Sequence, residues 1–226
     1  MFTASGRTRL LLIGSSGHAS VLVETIKVAG EYEIAGFLDD TQPVGFKTQG
    51  YAVLGTIAEI EAICARDALS DVVIAIGDNW QRRRVLLDIL DRIPNAKFPV
   101  IRHPSSVISS TADVNKGTVI LANAHIGTCS RVGEFCIINT ASSIDHDCEM
   151  ADFSSIAPGV SMGGRVRIGE CSAVGVGASI SNQVSIGNHT VVGTGAVVVR
   201  DIPDFAVAYG NPAQVRRKRA AGEGYF

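Results

Sequence analysis

Aliphatic residues recur at every sixth position in the second half of the chain. From Ile108 to Val198 each sixth residue is Ile, Val or Met, and the series continues through sixteen positions without a slip. A period of six matches neither the 3.6-residue turn of an α-helix nor the alternation of a simple strand, so it indicates a repeated unit of strand and corner. The pattern predicts a parallel β-helix whose aliphatic side chains point into the coil. A β-sandwich of short strands is the alternative, but it would not hold one register for so long.

A second inward series follows the aliphatic residues at a fixed distance. Four residues after each of the first fifteen aliphatic positions comes a small or short residue, for example Ala124, Ser142 or Ser154. These side chains are expected to face inward where the turning backbone leaves little room. Glycine directly follows the aliphatic residue in seven repeats, and Gly, Asn and Asp fill many of the other corner places, which is the composition that tight turns require.

The segment before these repeats alternates apolar strands with helical stretches. Strands are predicted at 9–13, 34–38 and 72–76, and helices at 19–29, 57–66 and 80–92. Such alternation is typical of an α/β domain built on a small parallel sheet. We therefore expect two domains, a Rossmann-like domain over residues 1–104 and a β-helix domain over 105–226 that includes a C-terminal tail.

The composition shows no bias towards polyanions or membranes. The 226 residues are 46% hydrophobic and carry a net charge of −2, so nothing global attracts nucleic acid or an anionic membrane surface. No apolar run is long enough to span a bilayer, and the polar start at residues 1–9 is unlike a signal peptide. We expect a cytoplasmic protein. The five cysteines form no Cys-x-x-Cys pair and are expected to be reduced structural thiols.

A glycine turn, Gly14-Ser15-Ser16-Gly17-His18, joins the first strand to the first helix. Its backbone amides and the helix N-terminus favour an anion such as a phosphate or pyrophosphate. The full Gly-x-Gly-x-x-Gly fingerprint of dinucleotide sites is missing, and a turn that only joins two elements is the alternative. The next two strands end in Asp39-Asp40 and in Asp78-Asn79, at the sheet edge where open α/β folds bind ligands. The candidate substrate-binding residues are Gly14, Ser16, Gly17, His18, Asp39, Asp40 and Asn79.

A histidine between two acids marks one corner of the repeat region, in Ile144-Asp145-His146-Asp147. His146 takes the third place of its six-residue unit, so its side chain is expected to point outward. Flanking carboxylates fix the tautomer of an imidazole and stabilise its protonated form, as a general base near neutral pH requires. A solvated corner histidine is the alternative.

Metal binding is not expected. A zinc site on a β-helix would need three converging histidines, two of them close together on one strand edge. His125, His146 and His189 are separated by 21 and 43 residues, which does not supply that pair. The roles of His125 and His189 stay open.

These motifs together resemble a family that covers nearly the whole chain. The family is that of the sugar acetyltransferases, which includes sialic acid O-acetyltransferase and the nucleotide-linked amino-sugar N-acetyltransferases of bacillosamine and perosamine synthesis. The resemblance rests on residues 14–18, 39–40, 76–79, 139–140, 144–147, 156–160 and 210–213. The repeats and the Gly-Asn-Pro-Ala ending alone indicate only a left-handed β-helix acyltransferase. The N-terminal module and the Asp-His-Asp corner narrow the match to this family.

The resemblance implies a homotrimer with active sites between subunits, acetyl-CoA along a left-handed coil, and a nucleotide sugar held by the N-terminal domain. His146 matches the catalytic base, Asp147 the acid beside it, and Asn139 a residue near the acceptor amine. Several relatives place a second histidine where this chain has Ser155. The residues expected on the coenzyme side are Ser155, Gly163, Gly164, Gly193 and Gly210.

The implied chemistry is transfer of an acetyl group from a thioester to an amine, without a metal. His146 would accept the amine proton, and a backbone N–H in the turn 162–164 would stabilise the oxyanion. N-acetylation of a nucleotide-linked 4-amino-4,6-dideoxy sugar, of the GDP-perosamine or UDP-bacillosamine type, is the leading hypothesis. O-acetylation of sialic acid or another sugar is the second, and a non-catalytic trimeric scaffold is the third. The basic run 216–219 is interpreted as a solvated tail, with pairing to coenzyme phosphates as the alternative.

Overall fold

The computed structural model describes residues 6–224, so the first five residues of the polar start and the last two of the tail lie outside the described residues. The chain divides into two compact units. One contains the residues up to 77 together with 81–101, and the other contains 78–80 together with the residues from 102 onwards. Among residues 6–224, no helix combines the length and apolar character needed to cross a bilayer.

The first unit is an α/β structure around a five-stranded sheet. Its strands, in the order β3-β4-β2-β1-β5, are parallel except for β3, which runs antiparallel to β4. The strands are β1 (Thr8–Ile13), β2 (Tyr32–Leu38), β3 (Lys47–Thr48), β4 (Tyr51–Gly55) and β5 (Asp71–Ile74). The helices are α1 (Gly17–Ala29), α2 (Ile60–Asp67), which follows a 3-10 turn at Ile57–Glu59, and α3 (Asn79–Arg92), of which residues 81–92 belong to this unit. The predicted parallel sheet is confirmed.

The hairpin of β3 and β4 was absent from the prediction. Gln49 and Gly50 form its turn, and both have positive φ, 51° and 89°. A two-residue turn of this kind is normally signalled by Asn-Gly or Asp-Gly. Gln-Gly is a weaker signal, and β3 is too short to show an alternating pattern.

Helix α1 packs one apolar stripe on the sheet and leaves its first turn open. Ala19, Leu22, Val23 and Ile26 are at most 1% exposed, at the spacing of a single helix face. At the N-terminus, Ser16 has an extended backbone and makes no side-chain capping bond. The first amides of the helix are therefore not satisfied by a capping side chain at the glycine turn.

The second unit is a parallel β-helix with three faces built from two-residue strands. The first face contains Ile101–Arg102, Val119–Ile120, Ile137–Ile138, Ser155–Ile156, Ala173–Val174, Val191–Val192, Ala206–Gly210 and Ala213–Lys218. The second face contains Val107–Ile108, His125–Ile126, Ser143–Ile144, Ser161–Met162, Ser179–Ile180 and Val197–Val198. The third face contains Asp113–Val114, Arg131–Val132, Glu149–Met150, Arg167–Ile168 and Ser185–Ile186. Each residue of the two-residue strands pairs in parallel with the residue 18 positions away, such as Ile126 with Ile144, so three repeats of six make one coil. The last two strands differ, because Ala213–Lys218 runs antiparallel to Ala206–Gly210. The predicted α/β domain followed by a β-helix is confirmed.

The interior of the coil follows both predicted series. From Ile120 to Val198 every aliphatic residue of the six-residue series is buried, and Ile108 and Val114 at the start are half-buried. The small residues face inward as well. Where they carry hydroxyls, the O–H group donates to a nearby backbone carbonyl, as in Ser130 to Asp145 at 2.7 Å and Ser172 to Gly187 at 2.6 Å. These bonds remove the cost of burying a polar group.

The corners use glycine differently from the prediction. From Gly117 to Gly195 the residue in the left-handed region is the fourth of each unit, as at Asp147 (φ 56°) and Arg165 (φ 61°), and in most of these units it is not glycine. Glycine directly after the aliphatic residue serves close packing instead. A Cβ at Gly127 would lie 2.7 Å from the backbone carbon of Asp145 in the next coil, so no side chain fits there.

Candidate active site

His146 lies at the corner between the second and third faces. Ser143–Ile144 ends before it, Glu149–Met150 begins after it, and His146 and Asp147 occupy the centre of the turn. Its side chain is 45% exposed, so it supports no core. The outward position expected from the repeat is the one observed.

Both flanking acids bind His146, at different atoms. The backbone N–H of His146 donates to Oδ1 of Asp145 at 2.8 Å, which fixes the turn. Oδ2 of Asp147 lies 2.8 Å from Nδ1 of the ring. When Nδ1–H donates to that carboxylate, Nε2 carries the lone pair and can accept a proton. The pair has the arrangement of a general base with its orienting acid.

Gly164 lies against the imidazole from the next coil. A Cβ at residue 164 would lie 2.5 Å from Nε2 of His146 and 2.7 Å from Cε1, so any side chain there would displace the ring. Gly163 instead makes room for Asn182, whose backbone nitrogen would lie 2.9 Å from an added Cβ. The N–H of Gly163 donates to the carbonyl of Ile180 at 2.9 Å, which leaves Gly164 as the better amide for an oxyanion.

Cys148 follows this corner but points into the coil. Its thiol lies 3.2 Å from the carbonyl of Gly163, and burial raises its pKa. All five cysteines are free, and of these Cys129 is exposed. Cys148 is therefore a packed thiol and not a nucleophile.

The other residues expected near the coenzyme and acceptor lie elsewhere on the coil. Asn139 and Gly193 belong to the corner between the first and second faces, whereas Ser155 and Gly210 lie on the first face. Gly193 makes room for Tyr209, because a Cβ added at residue 193 would lie 2.7 Å from the Cβ of Tyr209. Within one chain, the strand Ser143–Ile144 separates Asn139 from His146.

The two glycines of the turn in the first unit differ in the space around them, because Gly14 is closely packed and Gly17 is not. Gly14 has φ 92°, its N–H donates to Leu38, and an added Cβ would lie 3.1 Å from Ile76, so a side chain there is strained. Gly17, at the start of α1, would place a Cβ with nothing within 4 Å. Ser16 is exposed. Space therefore opens over Ser16 and Gly17, next to the first amides of the helix.

His18 completes this turn as a neutral imidazole. Burial, followed by the nearby positive charge of Arg82, lowers its pKa to about 4. Its Nε2 is buried, and within the described residues it has no hydrogen-bond partner. Buried polar atoms rarely stay unpaired in native proteins, so Nε2 marks a place where a ligand atom would be accommodated.

Asp39 organises the turn through five hydrogen bonds. Oδ2 accepts from the N–H and hydroxyl of Ser15, and Oδ1 accepts from the N–H and hydroxyl of Thr41 and from the N–H of Gln42. Burial alone would raise the pKa of this carboxyl, but the bonds from Ser15 and Thr41 outweigh it and lower the pKa to about 2. Asp40 accepts the N–H of Ile57 at 2.9 Å. Both acids hold loops of the first unit, and substrate binding by them stays a prediction.

Asn79 and His189 make contacts within the second unit. Asn79 is fully buried, and its side-chain amide donates to the carbonyl of Ser172 at 3.0 Å. His189 stacks on Phe205 at 5.1 Å between ring centroids and meets Trp80 edge-on at 5.4 Å. The open role of His189 is therefore packing in an aromatic row. His125 lies exposed on the second face.

The basic C-terminal run lies mostly in an edge strand and is not a free tail. The solvent exposure expected for it is found at Arg216, Arg217 and Lys218, but not at Arg219. The strand Ala213–Lys218 pairs with Ala206–Gly210. Arg216 lies 5.4 Å from the ring centre of Tyr209, Arg217 pairs with Glu223 at 2.6 Å, and Arg219 is buried and donates to the backbone carbonyl of His189.

Within residues 6–224, no group of three or more His, Cys, Asp or Glu residues is arranged to hold a metal ion.

Arg165, which lies beside Asp147, was not among the residues predicted from the sequence. Its Nε is 3.9 Å from Oδ2 of Asp147. The signal was present in the repeat, because residues 18 positions apart occupy the same place in successive coils and Arg165 follows Asp147 by that interval.

Comparisons with known proteins cover both units. The family model of the PglD N-terminal domain matches residues 9–89. GDP-perosamine N-acetyltransferase of Escherichia coli O157:H7 is 30% identical over 132 residues, which are 58% of this chain and 57% of that protein. The chain thus spans little more than half the length of this curated relative.

Two solved structures match nearly the whole chain. A histidine-to-asparagine variant of perosamine N-acetyltransferase from Caulobacter crescentus, in complex with CoA and GDP-perosamine, is 32% identical with a TM-score of 0.87, covering 92% of this chain and 97% of that one. The acetyltransferase domain of PglB from Neisseria gonorrhoeae, in complex with acetyl coenzyme A, is 33% identical with a TM-score of 0.84, covering 93% and 100%. The chain belongs to the β-helix sugar acetyltransferase family that contains these enzymes.

Proposed function

We propose that this protein transfers the acetyl group of acetyl-CoA to the 4-amino group of a nucleotide-linked 4-amino-4,6-dideoxy sugar, of the GDP-perosamine or UDP-bacillosamine type. One observation carries the proposal. His146 points outward from a corner of the β-helix, and its Nδ1 lies 2.8 Å from the carboxylate of Asp147. A histidine that accepts the proton of an attacking amine needs such an orienting acid.

His146 is the general base of the proposed reaction. The amine nitrogen attacks the thioester carbonyl, a C–N bond forms, and Nε2 of His146 takes the amine proton. Asp147 stabilises the ring while it is protonated. The C–S bond then breaks, and the departing thiolate takes the proton from the ring. The N–H of Gly164 is assigned to the oxyanion, a contribution typically worth about 3 kcal/mol.

The nucleotide sugar is assigned to the glycine turn at residues 14–18. The first amides of α1 have no side-chain cap and Gly17 leaves open space, which suits a pyrophosphate. His18 supplies an uncharged nitrogen at this turn. The roles of Ser16, Asp39, Asp40 and Asn79 in substrate binding belong to the same proposal.

A homotrimer is the proposed assembly, with a location in the cytoplasm. Residues assigned to coenzyme and acceptor occupy two corners and one face of a single coil, with Asn139 and Gly193 at one corner and His146 at another. A neighbouring copy would bring one corner beside the other. Such a site takes acetyl-CoA and the nucleotide sugar and needs no metal, nucleic acid or membrane.

An acceptor panel tests this function. The purified chain and its His146→Ala variant are mixed with acetyl-CoA and with GDP-perosamine, a UDP-linked 4-amino sugar or sialic acid, and thiol release is followed. We expect turnover with an amino sugar and strong loss in the variant. Turnover with sialic acid alone would favour O-acetylation, whereas nucleotide-sugar binding without any turnover would favour the scaffold.

A further inference from the structure

The carboxylate of Asp147 lies between a histidine and an arginine. The same oxygen, Oδ2, is 2.8 Å from Nδ1 of His146 and 3.9 Å from Nε of Arg165. The orienting acid of the base therefore has a second, permanently charged neighbour. Comparable pairs exist at the third face, but none of those touches the imidazole.

The β-helix itself sets this neighbour in place. Arg165 takes the place of Asp147 one coil further on, and its backbone N–H donates to the carbonyl of His146 at 2.9 Å. Asp147 in turn donates its N–H to Thr128 in the preceding coil at 2.9 Å. These backbone hydrogen bonds fix the register of successive coils, so the side chains of Asp147 and Arg165 leave the backbone at neighbouring positions.

The charges around His146 are unbalanced without Arg165. Asp145 and Asp147 both favour a protonated imidazole. At this corner in its own coil and in the coils before and after it, residues 127–130, 145–148 and 163–166, Arg165 is the one Arg or Lys. Besides His146 and its two acids, the other titratable groups there are the thiols of Cys129 and Cys148. At the start of the third face, Arg131 and Arg167 are both paired with Glu149, so these three side chains carry a net charge of +1.

We propose that Arg165 is a positioning residue for the catalytic base. It holds the Asp147 carboxylate against Nδ1 and offsets part of its negative charge, so that Nε2 keeps the orientation of a proton acceptor. The inference rests on the proposed function, because it assigns to Arg165 the tuning of that base. Arg165 is 61% exposed on its side chain, so the effect is partly screened by solvent.

Arg165→Gln tests the proposal, with Arg167→Gln as the matched control. Gln183 occupies the same place one coil further on with φ 64°, so glutamine is compatible with this backbone. Arg167→Gln removes the same positive charge from the third face, next to the corner that carries Arg165. We expect the acid limb of the kcat/KM profile of Arg165→Gln to move up by roughly half a pH unit. That shift corresponds to about a threefold loss at pH 6 with less than a twofold change at pH 8. Arg165→Lys should restore most of the profile, and Arg167→Gln should not move it.

NMR titration of the His146 ring gives a readout that needs no turnover. The ring should take up its proton at higher pH in Arg165→Gln than in the wild type, and the Arg165 change should have no effect in an Asp147→Asn background. An unmoved titration, an equal shift in Arg167→Gln, or a pH-independent rise in KM would overturn the inference. A protein without acetyltransferase activity whose His146 titration still shifts would contradict the proposed function and leave the Arg165 interaction supported.

Discussion

At the scale of single residues, His146 should carry the chemistry without carrying stability. We expect His146→Ala to lower kcat by about 10²–10⁴-fold, as loss of a general base does, because its ring is 45% exposed and packs on no core. Steady-state kinetics at neutral pH measures this, with thermal unfolding as the check on folding. His125→Ala removes an exposed histidine from the second face and is the control. A His146→Ala enzyme that keeps more than half of wild-type kcat would remove His146 from the mechanism.

His18 should make the protein less stable in mild acid. The folded state holds its pKa at about 4 against an ordinary 6.5, so between these values the unfolded chain binds the proton and the folded chain does not. Stability is therefore complete above about pH 6.5 and falls as the pH drops towards 4, by about 3 kcal/mol in all.

Urea unfolding of wild type and His18→Gln between pH 7 and pH 4 measures this loss. The variant should lose about 3 kcal/mol less than the wild type over this window. His125→Gln, at an exposed histidine, should behave as the wild type does. If His18→Gln and the wild type lose stability in parallel, the burial of a neutral His18 is refuted.

At the scale of elements, the glycine turn and α1 should bind one substrate and leave the other unaffected. A side chain at Gly17 meets no protein atom within 4 Å, so Gly17→Val should fold normally and crowd only a ligand that approaches the helix amides. We expect a higher KM for the nucleotide sugar and nearly unchanged affinity for acetyl-CoA. Calorimetric titration with each ligand checks this.

Glu24→Val is the control for this substitution, because it places the same side chain on an exposed position of α1 away from the turn. It should leave both affinities unchanged. Equal weakening of both ligands in a folded Gly17→Val protein would show that the glycine turn is not the acceptor site.

At the scale of the whole molecule, the coil interior should tolerate no charge. Ile156 is fully buried, so Ile156→Asp would bury a carboxylate without a partner. The cost is several kcal/mol, which is comparable to the whole free energy of unfolding of many domains. We expect insoluble protein or a loss of assembly in size-exclusion chromatography. Val176→Asp makes the same change at an aliphatic residue that is 50% exposed and should be harmless. An intact, stable Ile156→Asp assembly would contradict the inward register.

The sequence by itself determined the features that depend on short intervals. The six-residue series specifies the interior of the coil, because one inward residue per strand is enough to register each strand on the next. The partnership of His146 with Asp147 was predictable for the same reason, since the two residues are adjacent and share one turn. The first strand and helix of the α/β domain were visible in their apolar patterns.

Only the tertiary structure decided which partners the polar side chains meet within the chain. Asp39 and Asn79 were predicted from the sequence to bind a ligand. The structure adds that Asp39 accepts hydrogen bonds from Ser15 and Thr41 and that Asn79 donates to Ser172. His189 became part of an aromatic row, and Arg165 came to lie beside Asp147. Most of these partners are distant along the chain, and a hydrogen bond or ion pair forms only when folding brings both groups within a few ångströms. The periodic pattern fixes where the backbone runs, whereas the choice of partner among nearby side chains depends on their positions in space.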